Sequence, residues 1–366
     1  WLLFFKHKKP SGVWIMSYTN GLDDPTIYFN AVLYTGTENS NTISVGFEPD
    51  FTWIKRRNSS RDHQLFNSIT GANTVLSSNL TSAEEGTGAG GWTPNSDGFV
   101  VHQHVKTNSN GDTYVGWNWK AGTSFTNDAS GTGIGSIDSA GSFNNTSGFS
   151  IVSYTGTGSA GTIKHGMNTA PSMIIAKDRD SGSLSWFVGH ASLGFTKRLK
   201  LDGTNDAADN TVWNNTNPTS SVFSVGSSAN ANTSGNAIIA YCFAEKQGYS
   251  KFGKFIGNGN VSGSYIHLGF KARFIMTKRT DSSSGGAWVM YDTKRNPFNP
   301  TDVVMVADND QSENDWGTTF DLDILSNGVK LRSSTTYSNV SGATYIYMAF
   351  AENPFVTSTG VPATAR

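Results

Sequence analysis

Apolar and aromatic residues arrive along this chain in short runs, about ten residues apart, with Gly, Asn, Ser and Thr between them. β-Branched and aromatic side chains dominate the runs and no helical period emerges, which predicts strands. In the first part of the chain the runs fall at residues 30–34, 42–47, 51–56, 63–67, 74–77, 99–104 and 113–120. The same order returns at 149–154, 162–165, 173–178, 186–190, 198–201, 222–225 and 237–244. It returns again at 254–256, 265–270, 274–279, 288–291, 303–307, 328–331 and 344–351. About seven strands per stretch fits a small sandwich or jelly roll.

Residues as well as runs repeat. Tyr34-Thr35-Gly36, Tyr154-Thr155-Gly156 and Phe255-Ile256-Gly257 open the three stretches. Each is followed by a glycine phrase and an apolar strand that ends on lysine: Gly46-Phe47 with Trp53-Ile54-Lys55, Gly166-Met167 with Ile174-Ile175-Ala176-Lys177, and Gly269-Phe270 with Ile275-Met276-Thr277-Lys278. Self-similarity of this kind marks a tandem array. The expected architecture is all-β, with three tandem sandwich or jelly-roll modules of lectin-like form, either separate or packed as one body. The boundaries read from the pattern are an N-terminal extension 1–27, modules at 28–121, 148–247 and 248–353, and a tail 354–366. Residues 122–147, rich in Gly, Ser and Thr, carry the surplus length of the first interval and read as a linker or an insertion. Residues 1–15, before Met16, read as translated upstream sequence and are set aside.

Composition narrows the class. Forty glycines, 12% aromatic and 15% charged residues describe a turn-rich β protein and not a disordered chain. A net charge of −1 argues against a nucleic-acid partner, which needs a basic face. Long apolar runs of membrane-spanning length are absent from the sequence. Cys242 stands alone, so no disulfide forms within the chain, and its place in a closing apolar run reads as a small buried hydrophobe.

Chemistry-bearing residues concentrate in one loop per stretch, each acidic and each holding a tryptophan: Asn79, Glu84, Glu85 and Trp92; Asp202, Asp206, Asp209 and Trp213; Asp308, Asp310, Glu313, Asp315 and Trp316. An aromatic ring beside carboxylates is what a sugar stacks on, so Trp92, Trp213, Trp316, Glu85, Asp206 and Asp310 are the candidate ligand contacts. Oxygen donors on one loop also suit calcium, and Asp308, Asp310, Glu313 and Asp315 form the densest set. The plain alternative is a solvated loop pinned by a half-buried tryptophan. The unequal spacing of donors and tryptophan favours that alternative over a dedicated calcium loop. His102-Gln103-His104 places two imidazoles on one face of a strand, where a homotrimer would bring six nitrogens together for iron or zinc; two exposed histidines is the commoner case. Lys55, Lys177 and Lys278 recur after apolar strands and read as strand ends that keep their charge in water. Asn58, Asn79, Asn260 and Asn339 match the glycosylation pattern as chance would provide. Hydrolytic and phosphate-binding motifs are missing, which leaves a glycoside hydrolase with paired carboxylates as the enzymatic alternative.

The phrases resemble a repeat-domain family in structural genes of tailed bacteriophages, especially marine ones. The residues that carry this are Gly21-Leu22-Asp23-Asp24-Pro25, Leu33-Tyr34-Thr35-Gly36, Pro49-Asp50-Phe51, Trp53-Ile54-Lys55, Asp97-Gly98-Phe99, Gly248-Tyr249-Ser250-Lys251-Phe252-Gly253, Tyr345-Ile346-Tyr347-Met348-Ala349-Phe350-Ala351-Glu352 and the ending Gly360-Val361-Pro362-Ala363. The likeness runs from about Ser17 to the end, with departures at Met167 and Thr280. It implies a virion component of tail-fibre, spike or decoration type, made in the bacterial host cytoplasm and assembled with other virion proteins, whose β modules, as a homotrimer, face host cell-surface carbohydrate; it brings no catalytic residues to transfer. The alternatives are a capsid-decoration or fibre-shaft protein without a ligand, and a polysaccharide depolymerase.

Overall fold

A computed structural model of the chain describes residues 6–8, 14–16, 19, 22–87 and 91–364. Most of the N-terminal stretch set aside above lies outside the described residues; Lys6–Lys8 and Trp14–Met16 pair antiparallel.

Among the described residues the fold is nearly all β, built from separate antiparallel sheets. Three larger sheets share one strand order. In the first, Thr113–Trp119 lies between Phe29–Thr35 and Phe51–Arg56, and Gln64–Asn67 follows outside. In the second, Ala237–Phe243 lies between Phe149–Thr155 and Met173–Asp178, followed by Phe187–His190 and Lys197–Lys200. In the third, Thr344–Pro354 lies between Ser250–Ile256 and Phe270–Arg279, followed by Trp288–Asp292 and Val303–Val306. The last strand of each stretch in sequence is therefore central in its sheet, with a neighbour on each side. That placement explains why these strands read as unbroken apolar runs: both faces are covered.

Alternation sorts the two faces. From the closing strands, Val115, Trp117 and Trp119, then Ile239, Tyr241 and Phe243, then Ile346, Met348 and Phe350 enter one common core. Their sequence neighbours face three separate outer cores: Tyr114 in the first, Ile238, Ala240 and Cys242 in the second, Tyr345, Tyr347 and Ala349 in the third. Each outer core is closed by a small sheet, such as Asn41–Ser44 with Gly98–Val101 and Trp92–Asn95 in the first, or Gly161–Lys164 with Val222–Val225 in the second. At the centre Trp119, Phe243 and Phe350 form a triangle, with ring centroids 6.2, 5.9 and 5.6 Å apart. Truncating a buried aromatic of this kind costs about 3–5 kcal/mol.

The repeated glycines have a steric cause. A Cβ on Gly36, Gly156 or Gly257 would lie 2.1 Å from the carbonyl oxygen of Ser109, Thr233 or Val340 respectively. The strand there passes too close to its partner loop for any side chain.

The Gly/Ser/Thr-rich stretch is not a flexible connector. Thr123–Asn127 and Ser139–Asn144 form a hairpin that joins the open edge of Phe149–Thr155 and widens the second sheet to eight strands. Its small residues serve close packing: a Cβ on Gly141 would sit 2.1 Å from the Ile151 carbonyl oxygen. Composition alone does not separate that use of glycine from a linker's.

Candidate functional site

The recurrent lysines lie between the sheets, and their environment overturns the expectation of a solvated strand end. All three side chains are fully buried. Lys177 donates to the carbonyl oxygens of Asp178 at 2.7 Å, Thr81 at 3.1 Å and Ser181 at 3.3 Å. Lys278 donates to Arg279 at 2.7 Å, Asn205 at 2.9 Å and Thr204 at 3.2 Å. Lys55 donates to Arg56 at 3.0 Å and Asp310 at 3.2 Å. At least one acceptor in each set belongs to another stretch, two in the case of Lys278: the second lysine holds the first acidic loop, the third holds the second, and the first holds the third. The ring closes on itself. Burial pushes each ammonium down to about 8, against the attraction of nearby carboxylates.

Further bonds repeat at the same three seams. Trp186 Nε1 donates to the Ser77 carbonyl at 2.9 Å and Trp288 Nε1 to that of Lys200 at 2.7 Å. At the third seam His63 does this work: its Nδ1 accepts from Trp53 Nε1 at 2.8 Å, so Nε2 carries the proton and donates to the Val306 carbonyl at 3.0 Å. The backbone N–H of these residues donates to Asn79, Asp202 and Asp308, at 3.0, 3.0 and 2.7 Å for His63, Trp186 and Trp288. The first polar residue of every acidic loop is thus a cap for a neighbouring strand. Burial raises the Asp202 carboxyl and pushes that of Asp308 up to about 6.

Two seams carry an ion pair, Arg57 with Glu313 at 2.7 Å and Arg179 with Glu84 at 2.5 Å. The backbone bond beside each pair recurs at the third seam, where Ala207 N donates to the Thr280 carbonyl at 2.8 Å. Thr280, the departure noted in the sequence, therefore stands where arginine would, and Ala207 where its glutamate would.

The loop residues expected to meet a ligand part company. Trp92 and Trp213 are fully buried, in the first and second outer cores, where they pack on Phe66 and Phe195. In the third stretch Leu322 stands opposite Leu331 as Trp92 stands opposite Val101, Phe320 is buried in the same outer core, and Trp316 is an additional aromatic, 44% exposed. The expectation of three tryptophans on one binding surface fails because a sequence phase set by tryptophan misaligned the third loop. Glu85 lies exposed in the short strand Glu85–Gly86, 3.8 Å from Lys106. Asp206 and Asp310 are exposed, and the Asp310 carbonyl also accepts from Arg61 N at 2.9 Å.

The calcium set is likewise dispersed in function. Asp308 caps Trp288, and Glu313 receives Arg57 Nε on both oxygens at 2.9 Å. Asp315 belongs to the strand Asn314–Asp315; its side chain is outside what is described. Among the described residues no group of three or more His, Cys, Asp or Glu side chains is placed to hold a metal. The histidine pair also loses its premise, since the strand ends at Val101 and His102 and His104 sit in the turn beyond it. His102 Nδ1 lies 3.1 Å from the Ser40 hydroxyl. Cys242 is buried in the second outer core and its thiol is pushed up by burial.

One groove joins several of the candidates. About 360 Å³ in volume, it is lined by Trp316, Phe320 and Tyr337 on one side, by Asp308, Asn309 and Gln311 on another, and by Thr204 from the second stretch. Phe320 lies between the two exposed rings, 6.3 Å from Trp316 and 5.2 Å from Tyr337. Tyr337 is 38% exposed. Sequence reasoning named Trp316 and Asp308 but missed Tyr337 and Phe320, which lie outside the acidic loop and are brought in by the third outer sheet.

A family model described as a domain of unknown function, DUF7483, matches residues 24–354. No curated protein and no solved structure matches the chain.

Proposed function

The chain belongs to the DUF7483 family, and within it we propose that this protein is a virion-surface component that binds carbohydrate of the host cell and does no chemistry on it. Three modules of one kind, fused into a single body, form the scaffold in this reading. The observation that carries the binding part is the groove beside Trp316, where two exposed aromatic rings stand against amide and hydroxyl side chains. Small-molecule sites combine apolar walls with a few convergent polar groups in this way. The virion part rests on the resemblance of the repeated phrases to structural genes of tailed bacteriophages. Display of many copies on one particle turns a weak single site into firm attachment by avidity.

Host-cell and glycan-array binding by the purified protein tests the reading, with Trp316→Ala as the control. Binding that weakens in the variant while its melting temperature holds supports it; absence of binding to host cells and glycans alike overturns it. The interlocked lysine seams favour a second reading, in which the body is purely architectural and has no ligand. That reading predicts silence in the same assays and incorporation of Trp316→Ala into particles at normal levels. A depolymerase would release reducing sugar from host polysaccharide. Asp308, the groove carboxyl pushed up to about 6, is the acid candidate in the groove, and the capping bond to Trp288 gives that carboxyl a structural task.

A further inference from the structure

We infer that the Trp316 groove, at the seam between the second and third stretches, takes one or two non-acidic pyranose units and rejects uronic and other acidic sugars. This rests on the carbohydrate reading and narrows it to a sugar class.

The seams are alike in their lysine clasp and strand cap, so a ligand site common to all three would need the same exposed aromatics at each. It has none. Trp92, Trp213 and Phe320 are buried in the three outer cores, whereas Trp316 and Tyr337 are exposed with Phe320 in reach of both rings. Among the described residues of the three acidic loops the exposed tryptophan is at the seam between the second and third stretches, and Thr204 reaches its groove from across that seam. It is the same seam that lacks the arginine–glutamate pair, with Thr280 and Ala207 in their places.

Size limits the occupant. About 360 Å³ lies near the lower end of the ~300–1,000 Å³ range of small-molecule sites, room for a mono- or disaccharide. Trp316 offers a face for the C–H side of a sugar ring, and Asn309 and Gln311 offer amides to its hydroxyls. Charge decides the class. Asp308 lines the groove, and the exposed carboxylates of Asp206 and Asp310 lie on the two loops that border it. The cation at this seam, Lys278, is fully buried and turned to three carbonyl oxygens, so it presents no donor to a ligand carboxylate. A sugar acid would meet negative charge without a free partner, and an interface built this way discriminates by repulsion.

The test titrates the full chain with neutral hexose oligosaccharides and with uronic acid oligosaccharides of equal length, by calorimetry at neutral pH. Neutral sugars are expected to bind, at least tenfold more tightly than the acidic set. Trp316→Ala and Tyr337→Ala are each expected to lower neutral-sugar affinity at least tenfold, with melting curves confirming that the variants fold. Asp308→Asn is expected to narrow the gap between the two sugar sets, since asparagine at the corresponding place, Asn79, accepts the same capping bond. Equal binding of both sets overturns the class inference and leaves carbohydrate binding standing. Neutral-sugar binding that survives both aromatic variants overturns the site. Absence of binding to every oligosaccharide overturns this inference and the carbohydrate reading together.

Discussion

Raising the pH from 7 to 9 should stabilise this protein, because three lysines are buried with their ammonium groups pushed down to about 8. In the unfolded chain the same groups release their protons near 10.5, so between the two values the unfolded state holds more protons and stability rises with pH. Integrating that difference gives about 1.4 kcal/mol per lysine between pH 7 and pH 9, or about 4 kcal/mol for three. Below pH 8 the burial cost is present in full. Within that window Cys242, whose thiol is pushed up by burial, already ionises in the unfolded chain near 9.0 and subtracts about 0.4 kcal/mol by pH 9; the buried tyrosines, also pushed up, subtract mainly above that point. Urea unfolding followed by tryptophan fluorescence at the two pH values reads the effect. Lys177→Met keeps the stem length, removes the titration and is expected to shrink the rise by about a third. A flat or falling stability in the parent protein refutes the reasoning, as does an undiminished rise in the methionine variants of all three lysines.

Three further outcomes follow from the packing. Phe350→Ala removes one corner of the central triangle and should cost about 3–5 kcal/mol in chemical denaturation. Thr280→Arg with Ala207→Glu installs at the third seam the ion pair present at the other two; a double-mutant cycle should give a favourable coupling of about 0.5–1 kcal/mol, reduced by salt. Gly156→Ala places a methyl 2.1 Å from the Thr233 carbonyl oxygen, so it should lower the melting temperature more than Gly235→Ala, where a Cβ meets nothing within 4 Å and only the positive φ of 84° opposes it.

Strands were legible in the sequence because period-two burial and turn residues act over a few positions. The run predicted at 51–56 matches Phe51–Arg56, and that predicted at 173–178 matches Met173–Asp178. Interactions between stretches were not legible. Lys55, Lys177 and Lys278 look like solvated strand ends until their carbonyl acceptors, which are distant in sequence, are in place. Correspondence between loops was misread for the same reason: Trp316 matches Trp92 and Trp213 in residue type, whereas strand register puts Leu322, opposite Leu331, where Trp92 stands opposite Val101. The signal for the true phase was present in Asn79, Asp202 and Asp308, whose caps fix the start of each loop. The hairpin at 123–144 was hidden by glycines that serve close contact and not flexibility.

The central claim is that three sheets form one interlocked body around a common core, closed by a lysine clasp at every seam. Native-state hydrogen exchange of the closing strands Thr113–Trp119, Ala237–Phe243 and Thr344–Pro354 tests it most directly. A single body predicts that the slowest amides of all three strands open together, with one free energy and one denaturant dependence. Three different opening energies, each with the small denaturant dependence of one sheet unfolding alone, would contradict it.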